Sequence, residues 1–375
     1  MSRAPWRPLT WSRAPRGASR AALVAGVAVV VVGAIDSRFA TRAESQTRNA
    51  GRAADATHAR PAHARLHTAC AGERPPLPDV LFYDLQSGAF PDSGHPDVAV
   101  HVPPGFDATL HPGLVLYFRG WNQCVASALA DSDIPCSDDG EARPALSLAT
   151  QIDDARVNAL LVAPELRFDL PSGEPGQLGN PGGLRALLDE LFSGRLADDL
   201  GCSLDVDALD RVMIVSHSGG YQAAASALAL GDVPRIVEVD LLDSLYGADE
   251  VFTGWIAGET LRFDPRVDDS VRFVDLYTCC GGTVDRSRSM AQVARDALGE
   301  AGLADLLFDD DGEDDLAEED LAHPLVFKRV PRDHSELPRA YVRALVESAG
   351  FEHVLEPGIA QRNLSPASSH SQRPK

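Results

Sequence analysis

The chain is 375 residues long, 44% apolar and 24% charged, with a formal net charge of −21. Such values suit a globular protein of one large domain or two small ones. The acidic balance argues against nucleic acid as a partner, because phosphate binding needs clustered Lys and Arg; it favours solubility but names no substrate.

At the start, Arg3, Arg7, Arg13, Arg16 and Arg20 precede "AALVAGVAVVVVGAI", residues 21–35. A basic flank before 15 uncharged, mostly apolar residues has the pattern of an export signal. A spanning helix needs roughly 17–25 residues, so the run is short for one. A cleaved signal peptide and an uncleaved membrane anchor over 1–35 both remain open. Either way the positive flank stays cytoplasmic and the remainder is exported, to the periplasm or beyond the cell. Residues 36–75, rich in Ala, Arg, Ser, Thr and His without apolar periodicity, read as a flexible linker.

From 76 to 355, short apolar runs alternate with helical patterns. The strands expected in chain order are 97–103, 113–118, 158–166, 211–215, 235–242, 271–278 and 323–330. Helical stretches fall at 184–196, 221–230 and 289–300. Alternation of this kind predicts an α/β fold: a mainly parallel central sheet with helices on both faces. "ALLV" and "VMIV" are continuously apolar, as strands buried on both faces should be. Ligands then belong at the C-terminal ends of the strands. Residues 247–266, with Phe252 and Trp255, and the Gly/Pro-rich 167–183 are expected to lie over that end. The acidic run 308–321 lacks the spacing of a calcium loop and reads as solvated. Residues 356–375 read as a disordered tail.

Six cysteines, at 70, 124, 136, 202, 279 and 280, fit an oxidising compartment. Cys124 and Cys136 are close enough in sequence to close a small loop. A bridge between Cys279 and Cys280 would be unusual, since adjacent cysteines rarely pair with each other. No paired C-x-x-C motif suggests a metal site.

The chemistry concentrates at "SHSGG", residues 216–220, between the strand "RVMIV" and a helix expected from Tyr221. A serine displayed at a sharp strand–turn–helix corner needs small neighbours. Ser216 and Gly220 supply them, and the helix N-terminus adds a positive dipole end. On these residues the chain resembles the α/β-hydrolase superfamily over roughly 76–355, with Ser216 where the elbow usually has glycine.

The resemblance implies a Ser-His-Asp triad with Ser218 as nucleophile. His334, in "VPRDHSELP" after the last expected strand, takes the place of the general base. The acid is expected at Asp243, in "VDLLDSLYG", with Asp285 as the alternative; Asp275 lies inside a strand. Two backbone amides should form an oxyanion hole, one from Gly219 and the other from Trp121 or Gly120. The latter pair lie in "YFRGWNQC", where Arg119 replaces the usual histidine. The implied activity is an exported serine hydrolase acting on esters, small or polymeric, without metal or organic cofactor. A peptidase or amidase on the same scaffold and a non-catalytic binding protein remain the alternatives. Nothing in the sequence fixes the oligomeric state.

Overall fold

The computed structural model describes residues 77–354, apart from 138–139, 168–172, 281 and 313. The export segment, the linker and the tail expected above lie outside the described residues.

Among the described residues, nine strands form one sheet and two more form a small hairpin. The strands are β1 (Leu81–Tyr83), β2 (Val98–His101), β3 (Gly113–Phe118), β4 (Ile134–Pro135), β5 (Ala142–Arg143), β6 (Ala159–Pro164), β7 (Arg211–His217), β8 (Ile236–Leu242), β9 (Arg272–Tyr277), β10 (Leu307–Asp310) and β11 (Leu325–Arg329). The sheet order is β1-β2-β6-β3-β7-β8-β9-β11-β10, with β4 and β5 paired apart from it. Only β2 runs against its neighbours; the pairings from β6 to β10 are parallel.

The helices are α1 (Val125–Leu129), α2 (Leu148–Ala155), α3 (Gly183–Ser193), α4 (Arg195–Leu200), α5 (Tyr221–Leu230), α6 (Asp249–Gly258), α7 (Val284–Glu300) and α8 (Leu337–Ser348). They cover both faces. Leu114, Leu116 and Phe118 of β3 face one core, with Leu187 of α3, Ala223 of α5, Phe252 of α6 and Ala294 of α7. Val115 and Tyr117 face the other, with Leu129 of α1, Ile152 of α2 and Leu345 of α8. This is why β3, β6 and most of β7 are apolar at every position: alternate side chains enter different cores, and both are dry. The expected α/β fold with a mainly parallel sheet is the one the chain has.

The winding positions the site. From β3 the chain goes to β6 on one side, then crosses to β7 on the other. The order therefore reverses between the adjacent strands β3 and β7, and a crevice opens beyond their C-terminal ends. Gly120 follows β3 and Ser218 follows β7 at this point.

Three expectations are corrected. The acidic run is not all loop: β10 pairs in parallel with β11, and Lys328 of β11 reaches Asp310 at 2.8 Å. Residues 249–258 form a core helix rather than a free cap, with Phe252 fully buried and Trp255 packed edge-on against Phe263 at 6.0 Å. Cys279 and Cys280 do pair with each other, while Cys124 pairs with Cys136. Among the described residues no helix is long and apolar enough to cross a membrane.

Candidate active site

β7 ends at His217, a single 3-10 turn spans Ser218–Gly220, and α5 starts at Tyr221. Ser218 sits at φ 52°, in the left-handed region that a residue with a Cβ enters only at a cost. The corner closes because its neighbours are small. A Cβ on Gly220 would lie 2.3 Å from the Phe118 carbonyl oxygen. Ser216, in the place where glycine was expected, is fully buried, and its hydroxyl is 2.6 Å from that of Ser244. Ser244 in turn donates to the Ser218 carbonyl at 2.9 Å, so Ser216 is the donor to Ser244. The extra hydroxyl thus ties the elbow to the loop after β8.

That loop carries Asp243, also left-handed at φ 45°. His334 opens a 3-10 turn after β11. The three residues meet: His334 Nδ1 lies 2.7 Å from Asp243 Oδ2, and Nε2 lies 2.8 Å from Ser218 Oγ. The imidazole therefore donates through Nδ1 to the carboxylate and accepts at Nε2 from the serine. Asp243 is wholly buried, whereas the His334 side chain is 36% exposed and open to a ligand.

Burial by itself would raise the Asp243 carboxyl. Hydrogen bonds from His334, Thr283 and Thr278 outweigh burial and hold it below the ordinary carboxylate range. Thr278 Oγ1 donates at 2.7 Å to Oδ2, and Thr283 Oγ1 donates to Oδ1. Both threonines lie on the loop between β9 and α7, flanking the exposed Cys279–Cys280 bridge.

The alternative acid is placed elsewhere. Asp285 is exposed in the first turn of α7, where it faces the positive end of that helix. Asp275 is fully buried within β9, and neither of its oxygens has a hydrogen-bond partner among the described residues.

The turn after β3 lies directly against the elbow. A Cβ on Gly120 would stand 2.9 Å from Ser218 Cβ. Trp121 is 53% exposed. On the other side Gly173 packs over the elbow, where a Cβ would meet the Gly219 carbonyl oxygen at 2.1 Å. Within the Gly/Pro-rich segment, Gly173 thus lies against Gly219. Residues 89–93, His95, Leu166, Arg167, Gly176, Gln177 and Asn180 line an open cavity of about 710 Å³.

Arg119 is not a surface substitute for histidine but a buried anchor, 1% exposed. It pairs with Glu165 just past β6, donates to the Gly120 carbonyl at 3.1 Å, and also donates to the Leu166 carbonyl. Glu165 accepts from Val125 N at 2.9 Å, which fixes the start of α1. Burial raises the Glu165 carboxyl, and the Arg119 charge opposes that rise. Sequence reading missed this pair, as it missed Ser244, Thr278 and Thr283. Among the described residues no group of three or more His, Cys, Asp or Glu is placed to hold a metal ion.

No family model matches this chain, and no curated protein does. Among solved structures it is similar to a hormone-sensitive lipase from a metagenome library. That likeness has 14% identity and a TM-score of 0.32, covering 73% of this chain and 85% of the other. It is also similar to a C6-C4 SN3 inhibited esterase B from Lactobacillus rhamnosis. Here the identity is 13% and the TM-score 0.32, over 72% of this chain and 82% of the other.

Proposed function

We propose that this chain is an exported serine hydrolase that cleaves an ester bond through an acyl-enzyme on Ser218. One observation carries the reading: an unbroken chain of hydrogen bonds from Ser218 Oγ through His334 to the buried Asp243. Serine alone is a weak nucleophile at neutral pH, and an adjacent base is the usual remedy. His334 Nε2 takes the hydroxyl proton as Oγ attacks the carbonyl. Asp243 holds the ring with Nδ1 protonated and stabilises the imidazolium that forms. The amides of Gly219 and Trp121, with Gly120 as the alternative donor, receive the oxyanion. Such donors are worth roughly 2.7–4 kcal/mol each in a dry, fixed site. His334 then protonates the leaving alcohol, and a water activated by the same ring releases the acid.

Export is supported by the basic and apolar N-terminal pattern and by the disulfides. The substrate is taken to be a small or polymeric ester, entering from the face where His334 is open.

The test is labelling with a fluorophosphonate, together with turnover of short p-nitrophenyl esters beside peptides. The wild type should label at Ser218. Ser218→Ala should lose labelling and hydrolysis while keeping its circular dichroism spectrum. Asp243→Asn should lower kcat by about 10⁴-fold, as the wrong imidazole tautomer does in comparable triads, and Asp285→Asn should leave it unchanged. Peptide turnover without ester turnover would replace the esterase with a peptidase. An unlabelled wild type would favour a binding protein on this scaffold.

A further inference from the structure

One imidazole beside the site has no part in the steps above. His217, the last residue of β7, is 4% exposed and immediately precedes the nucleophile. Its Nε2 lies 2.9 Å from the main-chain oxygen of His334, and the two rings are 4.9 Å apart at 35°. A carbonyl oxygen only accepts, so Nε2 carries the hydrogen. Nδ1 is enclosed and has no partner among the described residues. A Cβ on Gly120 would come within 2.8 Å of Nδ1 and 3.2 Å of Cε1, so only glycine lets the turn after β3 close over this ring. One side chain therefore joins the elbow through the backbone, the Gly120 turn through packing, and the His334 turn through a hydrogen bond.

We infer that His217 is a positioning residue: its Nε2–H holds the His334 backbone, and thereby the base, at bonding distance from Ser218. The inference rests on the proposed hydrolase reading for its catalytic meaning, but the geometry it describes does not.

The protonation state fits the role. Burial, and then the charge on His334, push His217 down to about 4, outweighing its bond to the His334 carbonyl and the pull of Asp243. His217 thus stays uncharged at neutral pH and does not oppose the positive charge that His334 acquires during the reaction. A neutral donor is required there because a second cation at ring-contact distance would disfavour the imidazolium.

The experiment compares His217→Gln, which keeps an N–H at the reach of Nε2, with His217→Leu, which removes it. Ester turnover of His217→Leu should show kcat lowered about 100-fold with little change in KM, the signature of a misplaced reacting group. His217→Gln should recover most of that loss. Imidazole ¹⁵N spectra at pH 7 should show wild-type His217 as the Nε2–H tautomer. They should also show the His334 signals displaced in His217→Leu but not in His217→Gln. Full kcat in His217→Leu, equal impairment in both variants, or an unmoved His334 signal would overturn the inference. If the wild type does not react with the fluorophosphonate, the hydrolase reading falls, and the His334 signals still decide the positioning role.

Discussion

Ser244 couples two of the three loops of the site. Its hydroxyl accepts from Ser216 and donates to the Ser218 carbonyl, and its backbone follows Asp243 directly. Ser244→Ala strands the buried Ser216 hydroxyl and the half-buried Ser218 carbonyl at once, so we expect a stability loss of about 1–3 kcal/mol, with kcat falling because the elbow and the proposed acid lose their tie. Ser216→Ala removes one donor and leaves the bond to Ser218 intact, so its effect should be the smaller. Urea unfolding and ester turnover of both variants check the order; equal effects would place the support elsewhere. The contrast explains what could be read in advance. That Ser218, His334 and Asp243 come together was legible because the proposed nucleophile, base and acid need particular residue types, placed after particular strands. Ser244, Thr278 and Thr283 were not, because a hydroxyl donor can come from any loop residue that happens to point inward. His217 sat in full view inside the elbow motif, yet its partner is a main-chain oxygen 117 residues away.

The turn after β3 is an element anchored through a buried ion pair. β3 and β6 are parallel neighbours, so the residues just beyond their C-terminal ends, Arg119 and Glu165, must lie side by side. Read along the chain, the two are 46 positions apart, and Arg119 showed only that histidine was missing. With both groups buried, the attraction does little more than offset the cost of desolvation, but removing one member of the pair takes the opposite charge away from the other in a buried place. Glu165→Gln should therefore cost about 3–5 kcal/mol. The double change Arg119→Met with Glu165→Leu should recover most of that stability, since an apolar pair needs no hydration. It should not recover activity, because the bonds to the Gly120 and Leu166 carbonyls and from Val125 N are lost with it. Thermal unfolding set beside turnover separates the two. A double variant that is both stable and fully active would show that the turn needs no such anchor.

At the scale of the whole molecule, the sequence was most legible where both faces of a strand are dry. β3, β6 and most of β7 are continuous apolar runs, β8 and β9 are apolar apart from Glu238, Asp240, Arg272 and Asp275, and all five were expected within a few residues of where they lie. The edges were not legible: β1 is three residues long, and β10 is acidic and only partly buried, held beside β11 through Lys328. The same sheet conceals carboxyls that its core does not need. Burial pushes Asp275 up to about 7 from 3.8, and the charge of Asp243 adds to the rise. Below the ordinary value, folded and unfolded chains both hold the proton, and the group costs nothing. As pH rises toward about 7 the unfolded chain releases a proton that the folded chain keeps, so stability falls. Above that the penalty is complete, at no more than about 4 kcal/mol. Asp275→Asn removes the titration and keeps the shape. Its gain over the wild type should be near zero at pH 4 and should grow through pH 6 to a plateau by pH 8, read as denaturant midpoints. A gain of the same size at every pH would mean that packing rather than ionisation sets the cost, and the buried carboxyl would then be paired in a way these contacts do not contain.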